Sequence, residues 1–184
     1  MTKLAVIYHS GYGHTARVAQ FVAEGAGRHA EVALYTAEEA SAKLEELAAY
    51  DAIVFGAPTY MGSVSAGFKA FMDASAPVWF KQGWKDKVAA GFTVSNSPSG
   101  DKLGTLQQLS VFAAQHSMIW VSTGELPASV TGSEINRYGS FLGLMTRSDN
   151  APAEQTPDAA DLESARRFGE RVAIVADQLR RGGR

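Results

Sequence analysis

The chain has no cysteine, which excludes disulfides, thiol nucleophiles and thiolate-ligated metal or iron–sulfur centres. It also lacks an excess of either charge. Seventeen Lys and Arg against nineteen Asp and Glu give a formal net charge of −2, which offers no electrostatic case for nucleic acid or an anionic membrane as the main partner. No apolar run approaches the roughly 18 residues of a membrane span. The N-terminus enters a strand pattern almost at once, so neither a signal peptide nor a membrane helix is expected, and the expected compartment is the cytoplasm. No metal site is expected.

A further shortage is local. The six residues Ser10, Gly11, Tyr12, Gly13, His14 and Thr15 contain no Lys or Arg, yet they sit where an anion is commonly held. They follow the apolar run Leu4–Tyr8 and open a helical pattern from Ala16 to Ala26. A glycine-containing turn between strand and helix aims free backbone N–H groups and the positive end of a helix dipole at one point. Ser10, Thr15 and His14 can add donors, and Gly11 and Gly13 permit close approach and positive φ. A P-loop needs a Gly-Lys-Ser/Thr ending that is absent, which argues against NTP hydrolysis. Gly11 to Ala16 match the relaxed dinucleotide pattern G-x-G-x-x-A, but the second strand, Glu31–Tyr35, ends on Tyr35-Thr36 without the acid that reading wants for a ribose. A hydroxyl-rich loop without basic side chains fits a terminal monophosphate such as that of FMN better. An ordinary glycine-containing turn is the bland alternative.

The rest of the 184 residues alternates strand and helix without an internal repeat, as one domain spanning 1–184. Val18, Val22 and Ala26 make an apolar stripe on the first helix. A short helix or helical turn over Ser41–Leu47, with Leu44 and Leu47 inward, leads to Ala52–Gly56, apolar throughout as in a strand buried on both faces. A helix around Ala66–Ala74, a fourth strand Val88–Val94, a helix Leu103–Gln115 with Leu103, Leu106, Leu109 and Phe112 on one side, and a fifth strand Met118–Val121 follow. Five strands with helical crossovers predict an α/β fold with a parallel doubly wound sheet. Ser122 to Thr156 form a long excursion, too poor in apolar residues for a core of its own. In the closing helix Thr156 can cap, Pro157 suits the first turn, and Asp158, Asp161 and Glu163 lie near the positive end. Arg180 and Arg181 precede Gly182-Gly183, and Leu162, Ala165, Gly169, Val172, Ala176 and Leu179 form the buried face.

Ligands of such sheets sit beyond the carboxyl ends of the strands at the topological switch point, so the loops after strands one, three and four should converge. The second of these is Ala57–Ser63 and the third Ser95–Gly100, both rich in turn formers. Other residues have bland readings beside functional ones. His116 suits a helix C-terminus, Trp79, Phe80 and Trp84 can cover a sheet edge, His9 is structural, and Arg166-Arg167 form a solvated helix face.

Ser10–Thr15, the run Phe55-Gly56-Ala57-Pro58-Thr59-Tyr60 and the stretch from Asp161 to Ala173 together resemble the flavodoxin-like quinone reductases of the WrbA family, over nearly the whole chain. The resemblance implies a flavodoxin-like five-stranded parallel sheet in the order 2-1-3-4-5, with helices on both faces. It also implies an FMN-dependent oxidoreductase passing electrons from NAD(P)H to quinones, with no catalytic side chain because the flavin carries the chemistry. By matching position, Ser10, Gly11, Tyr12, Gly13, His14 and Thr15 hold the phosphate. Pro58, Thr59, Tyr60 and Met61 meet the isoalloxazine, and Val94, Ser95, Asn96, Ser97, Pro98 and Ser99 meet its pyrimidine side. His116 resembles the family's flavin-proximal histidine, Trp79 its substrate-side tryptophan and Tyr12 its nicotinamide-side aromatic. A homodimer or homotetramer is implied. Two departures stand out: the third loop reads Ser-Asn-Ser-Pro-Ser-Gly rather than a Thr/Gly-rich run, and the segment from Tyr35 to Tyr50 lacks a longer insertion. The rival readings are an electron-carrier flavodoxin, which the modest charge disfavours, and a flavin-free regulatory module on the same fold.

Overall fold

Residues 52–58 are buried without exception, as an apolar run between two helical layers must be. They belong to β3 (Ala52–Tyr60), the centre of a parallel sheet whose main path is β2 (Ala30–Thr36), β1 (Thr2–Tyr8), β3, β5 (Val88–Ser95) and β6 (Ile119–Trp120). This computed structural model describes residues 1–182, so Gly183 lies outside the described residues. The five-strand path is the expected order, and two further strands bring the sheet to seven. β4 (Ser63–Val64) folds back antiparallel on Thr59 and Tyr60, and β7 (Leu144–Arg147) pairs in parallel with Phe92–Ser95.

Alternation along each strand splits the core into two layers. Leu4, Val6, Val54 and Phe92 face α1 (His14–Ala26) and α7 (Ala159–Gly182). Ala5, Ile7, Ile53 and Phe55 face the other way, where Phe68 and Phe71 of α3 (Ala66–Ala74) and Leu106, Leu109 and Phe112 of α5 (Lys102–Gln115) cover them. Two glycines set the distance between α1 and α7: a Cβ on Gly25 would lie 1.9 Å from Arg166 O, and one on Gly169 2.0 Å from Val22 O. The two backbones therefore touch.

Several boundaries differ from the sequence expectation. Over Ser41–Leu47 the chain takes the turn form of that expectation, and the regular helix lies before it, as α2 (Ala37–Ser41), because Thr36 and Glu39 close a capping box: the Glu39 N–H donates to Thr36 Oγ1 and the Thr36 N–H to Glu39 Oε2. A 3₁₀ turn over Glu46–Ala49 then buries Leu47. A one-turn helix, α4 (Ala76–Phe80), follows α3 and leads to Trp84, which is core, whereas Trp79 and Phe80 are exposed. Leu103 is half-exposed at the solvent side of α5. The fifth strand is cut to Ile119–Trp120, because the chain leaves the sheet edge, runs through α6 (Ala128–Thr131), and returns as β7 on the upper half of the same edge. Asp158, not Thr156, caps α7, its Oδ1 accepting from the N–H groups of Ala160 and Asp161. Leu179 is half-exposed, beside Val88 and Ile119 at the starting ends of β5 and β6 rather than sealed against them.

Candidate functional site

The carboxyl ends of β1, β3 and β5 open into a cleft of about 630 Å³. One side is the turn into α1. Gly13 is the N-cap residue with φ of 90°, a conformation an L side chain resists. No side chain caps the helix and no acid lies in its first turn, so its leading N–H groups and dipole face the cleft uncompensated. Around that point stand Ser10, whose Oγ accepts from the Gly13 N–H at 3.0 Å, and the buried Thr15. Free N–H groups and hydroxyls gathered at a helix N-terminus have the chemistry to hold a phosphate.

The other walls come from three loops. Pro58, Thr59 and Tyr60 close β3, and the Tyr60 hydroxyl approaches Gly11 so closely that a Cβ there would lie 2.6 Å away. Burial pushes the Tyr60 phenol above its ordinary pKa, with Tyr12 adding to the shift. Tyr12 is 79% exposed at the mouth, edge-on to the Tyr60 ring at 6.3 Å. Thr59 Oγ1 reaches into the floor, 2.8 Å from Thr93 Oγ1 and 2.7 Å from Thr105 Oγ1. Val94, Ser95 and Asn96 line the next side.

The fourth wall, Ser148–Pro152, was not foreseen. Asn96 clamps it: its Nδ2 donates to Ser148 O at 3.1 Å and to Asn150 Oδ1 at 3.2 Å. His14 Nε2 donates to Ala151 O at 2.9 Å, tying the wall to the phosphate cradle. Thr156, expected as a helix cap, instead accepts from the Asp149 N–H at 3.0 Å. Beneath the wall Asp161 is nearly fully buried and accepts from the Arg147 N–H at 2.7 Å, from Arg137 Nη2 at 2.9 Å and from the Tyr138 hydroxyl at 3.3 Å. Burial pushes its carboxyl pKa up, while the Arg147 amide and the Arg137 guanidinium pull it down. Lys102 is 0% exposed; its Nζ donates to Thr146 O at 3.1 Å and sits 4.3 Å from the Tyr138 ring centre.

The remaining candidates do not share the cleft. Gly11 and Gly13 shape its turn but present no side chain to it, and Met61, in the left-handed region with φ of 51°, points wholly into solvent. Ser97, Pro98 and Ser99 turn outward toward α5, with Ser95 Oγ donating to Ser97 O. His116 and Trp79 line a different cavity, of about 690 Å³, between α3, α4 and α5. His116 follows the fourteenth residue of α5, and at 1.5 Å per residue that is about 20 Å from the end that faces the cleft. It is 3% exposed and packed 4.4 Å from the Trp84 ring, and burial pushes its pKa down to about 4. Ser75 gives its hydrogen to Met72 O, so His116 Nε2 is the donor to Ser75 Oγ at 2.9 Å. His9 is structural, hydrogen-bonded through Nδ1 to Ser65 at the head of α3.

Residues 2–131 match the family described as NADPH-dependent FMN reductase. The chain is 42% identical over 182 residues to flavodoxin FldP of Pseudomonas aeruginosa, covering 97% of this chain and 99% of that one. It is 34% identical over 203 residues to an NAD(P)H dehydrogenase (quinone) of Archaeoglobus fulgidus, covering 97% of this chain and 100% of that one. Its fold is similar to the crystal structure of a flavodoxin, WrbA-like protein from Agrobacterium tumefaciens, with a TM-score of 0.78, 42% identity, and coverage of 97% of this chain and 99% of that one.

Proposed function

The chain belongs to the NADPH-dependent FMN reductase family, and from that premise we propose that it is an FMN-dependent oxidoreductase that takes electrons from NAD(P)H and delivers them to quinones or similar acceptors. The observation that carries the reading is the uncapped N-terminus of α1, ringed by Ser10, Gly13 and Thr15 and opening onto a cleft at the strand ends. When bound, FMN would supply the redox centre between the nicotinamide and the acceptor. The protein's part is to bind and to orient. Ser10–Thr15 hold the phosphate through backbone and hydroxyl donors. Pro58–Tyr60 and Val94–Asn96 flank the ring, and Ser148–Pro152 exclude water from its fourth side. Tyr12, exposed at the mouth, offers a flat face to the incoming nicotinamide. The working unit is a homodimer or homotetramer whose copies meet through the exposed side chains of Trp79, Phe80 and Val111.

A second reading, a single-electron carrier, draws support from the 42% identity to a protein named flavodoxin. Steady-state assays separate the two. FMN-loaded protein should oxidise NADH or NADPH with benzoquinone over many turnovers. Failure with both nicotinamides, alongside rapid one-electron exchange with ferricyanide, would favour the carrier.

A further inference from the structure

A count of hydrogens at the cleft floor fixes what Thr59 can offer. Thr93 and Thr105 are 0% exposed, and among the described residues the hydroxyl of each has Thr59 Oγ1 as its one hydrogen-bond partner. A buried hydroxyl carries one hydrogen, and leaving it undonated away from water is costly. Thr59 Oγ1 has two lone pairs, enough to accept from both neighbours. With both pairs filled, Thr59 retains its own O–H and has no further capacity to accept. Thr59 is half-buried and lines the cleft, which leaves the cleft as the place where that hydrogen can find an acceptor.

From this we infer that Thr59 is a committed hydrogen-bond donor to an acceptor atom of the flavin ring, a ring nitrogen or carbonyl oxygen, and that Thr93 and Thr105 are positioning residues that keep its hydrogen turned outward. The inference rests on the FMN reading. A hydroxyl that accepts two hydrogen bonds is a stronger donor than an isolated one. Fixed in that direction it binds an electron-rich reduced ring more tightly than an oxidised one, and so raises the midpoint potential. It also selects against a ring that presents a donor or a C–H at that point, because the buried hydroxyl would be left unpaired.

The test is nuclear magnetic resonance of FMN enriched in nitrogen-15 and carbon-13, bound to the full chain, with phosphorus-31 as the internal control. In Thr59→Val one ring-acceptor resonance should move while the phosphorus resonance stays, and FMN and riboflavin should lose affinity by the same factor, roughly tenfold for one lost hydrogen bond to a neutral ring. The same ring resonance should move in the same direction in Thr93→Val and Thr105→Val, and the midpoint potential should fall. Thr93→Ser and Thr105→Ser keep the hydroxyl and should restore the wild-type spectrum. Serine variants that behave like the valine variants, or ring resonances unmoved in Thr59→Val, would overturn the inference while leaving FMN binding intact. A wild-type chain that binds no FMN would overturn both.

Discussion

Replacing Lys102 with methionine should stabilise the protein at neutral pH, and the advantage should vanish in base. Lys102 opens α5, where the helix dipole is already positive, and is fully buried. Burial pushes its ammonium from the ordinary 10.5 down to about 8; Asp161 opposes the shift and Arg147 adds to it. At about 1.4 kcal/mol per pH unit, that gap is a cost of roughly 3 kcal/mol for keeping the proton in the folded state. Against it stand the hydrogen bond to Thr146 O, about 1.5 kcal/mol, and the contact with the Tyr138 ring, about 1 kcal/mol. Methionine removes all three, for a net gain on the order of 1 kcal/mol at pH 7. The pH dependence is the sharper consequence. Between about 8 and 10.5 the unfolded chain still holds the proton and the folded chain has released it, so wild-type stability rises with pH there, while the methionine variant lacks this contribution. Urea denaturation of both proteins from neutral pH to about pH 10 should show the variant ahead at first and overtaken at the end. A difference between the two that stays constant across that range would refute the reasoning.

Thr15→Ala should weaken FMN binding by roughly 1 to 3 kcal/mol and leave riboflavin binding unchanged, as measured by flavin fluorescence, because in the proposed reading the hydroxyl meets only the phosphate. The His116 ring, held neutral by burial with its pKa near 4, should show no titration between pH 5 and 8 in its proton resonances. Light scattering should give a mass that is a multiple of 19.6 kDa, and Trp79→Ala should raise the monomer fraction; a fully active monomer would refute the assembly reading.

The elements most legible in the sequence are those with strong local causes. Ala52–Gly56 reads as a strand buried on both faces and is one, Val88–Val94 reads as a strand and is one, and the turn Gly11-Tyr12-Gly13 lies between strand and helix where its residue types place it. The strand β7 was not legible, because four residues that pair with the upper half of β5 carry no period of their own. Asp161 looked like a helix-dipole acid. Its burial under Arg147, Arg137 and Tyr138 depends on contacts 14 to 24 positions away. Thr156 and Asp158 are both good caps, and the choice fell to Asp158 because Thr156 is engaged by Asp149. His116 and Trp79 match a family pattern by position; His116 stands at the far end of α5 and Trp79 on α4, and both line the second cavity rather than the cleft.

The broken edge strand has a consequence in register. Ile119 lies opposite Val88 and Leu144 opposite Phe92, so the offset between partners is 31 at β6 and 52 at β7, a difference of 21. Joining Ser122 directly to Leu144 would therefore remove those 21 residues and leave every strand partner where it is, with no bulge at the splice. In its pairing the excursion behaves as an insert that the register of the edge does not need. What it brings is Arg137 and Tyr138, two of the groups that hold Asp161 beneath the fourth wall. A shortened chain would keep the sheet and loosen the wall, and because His14 ties that wall to the turn into α1, the slack would reach the helix N-terminus as well.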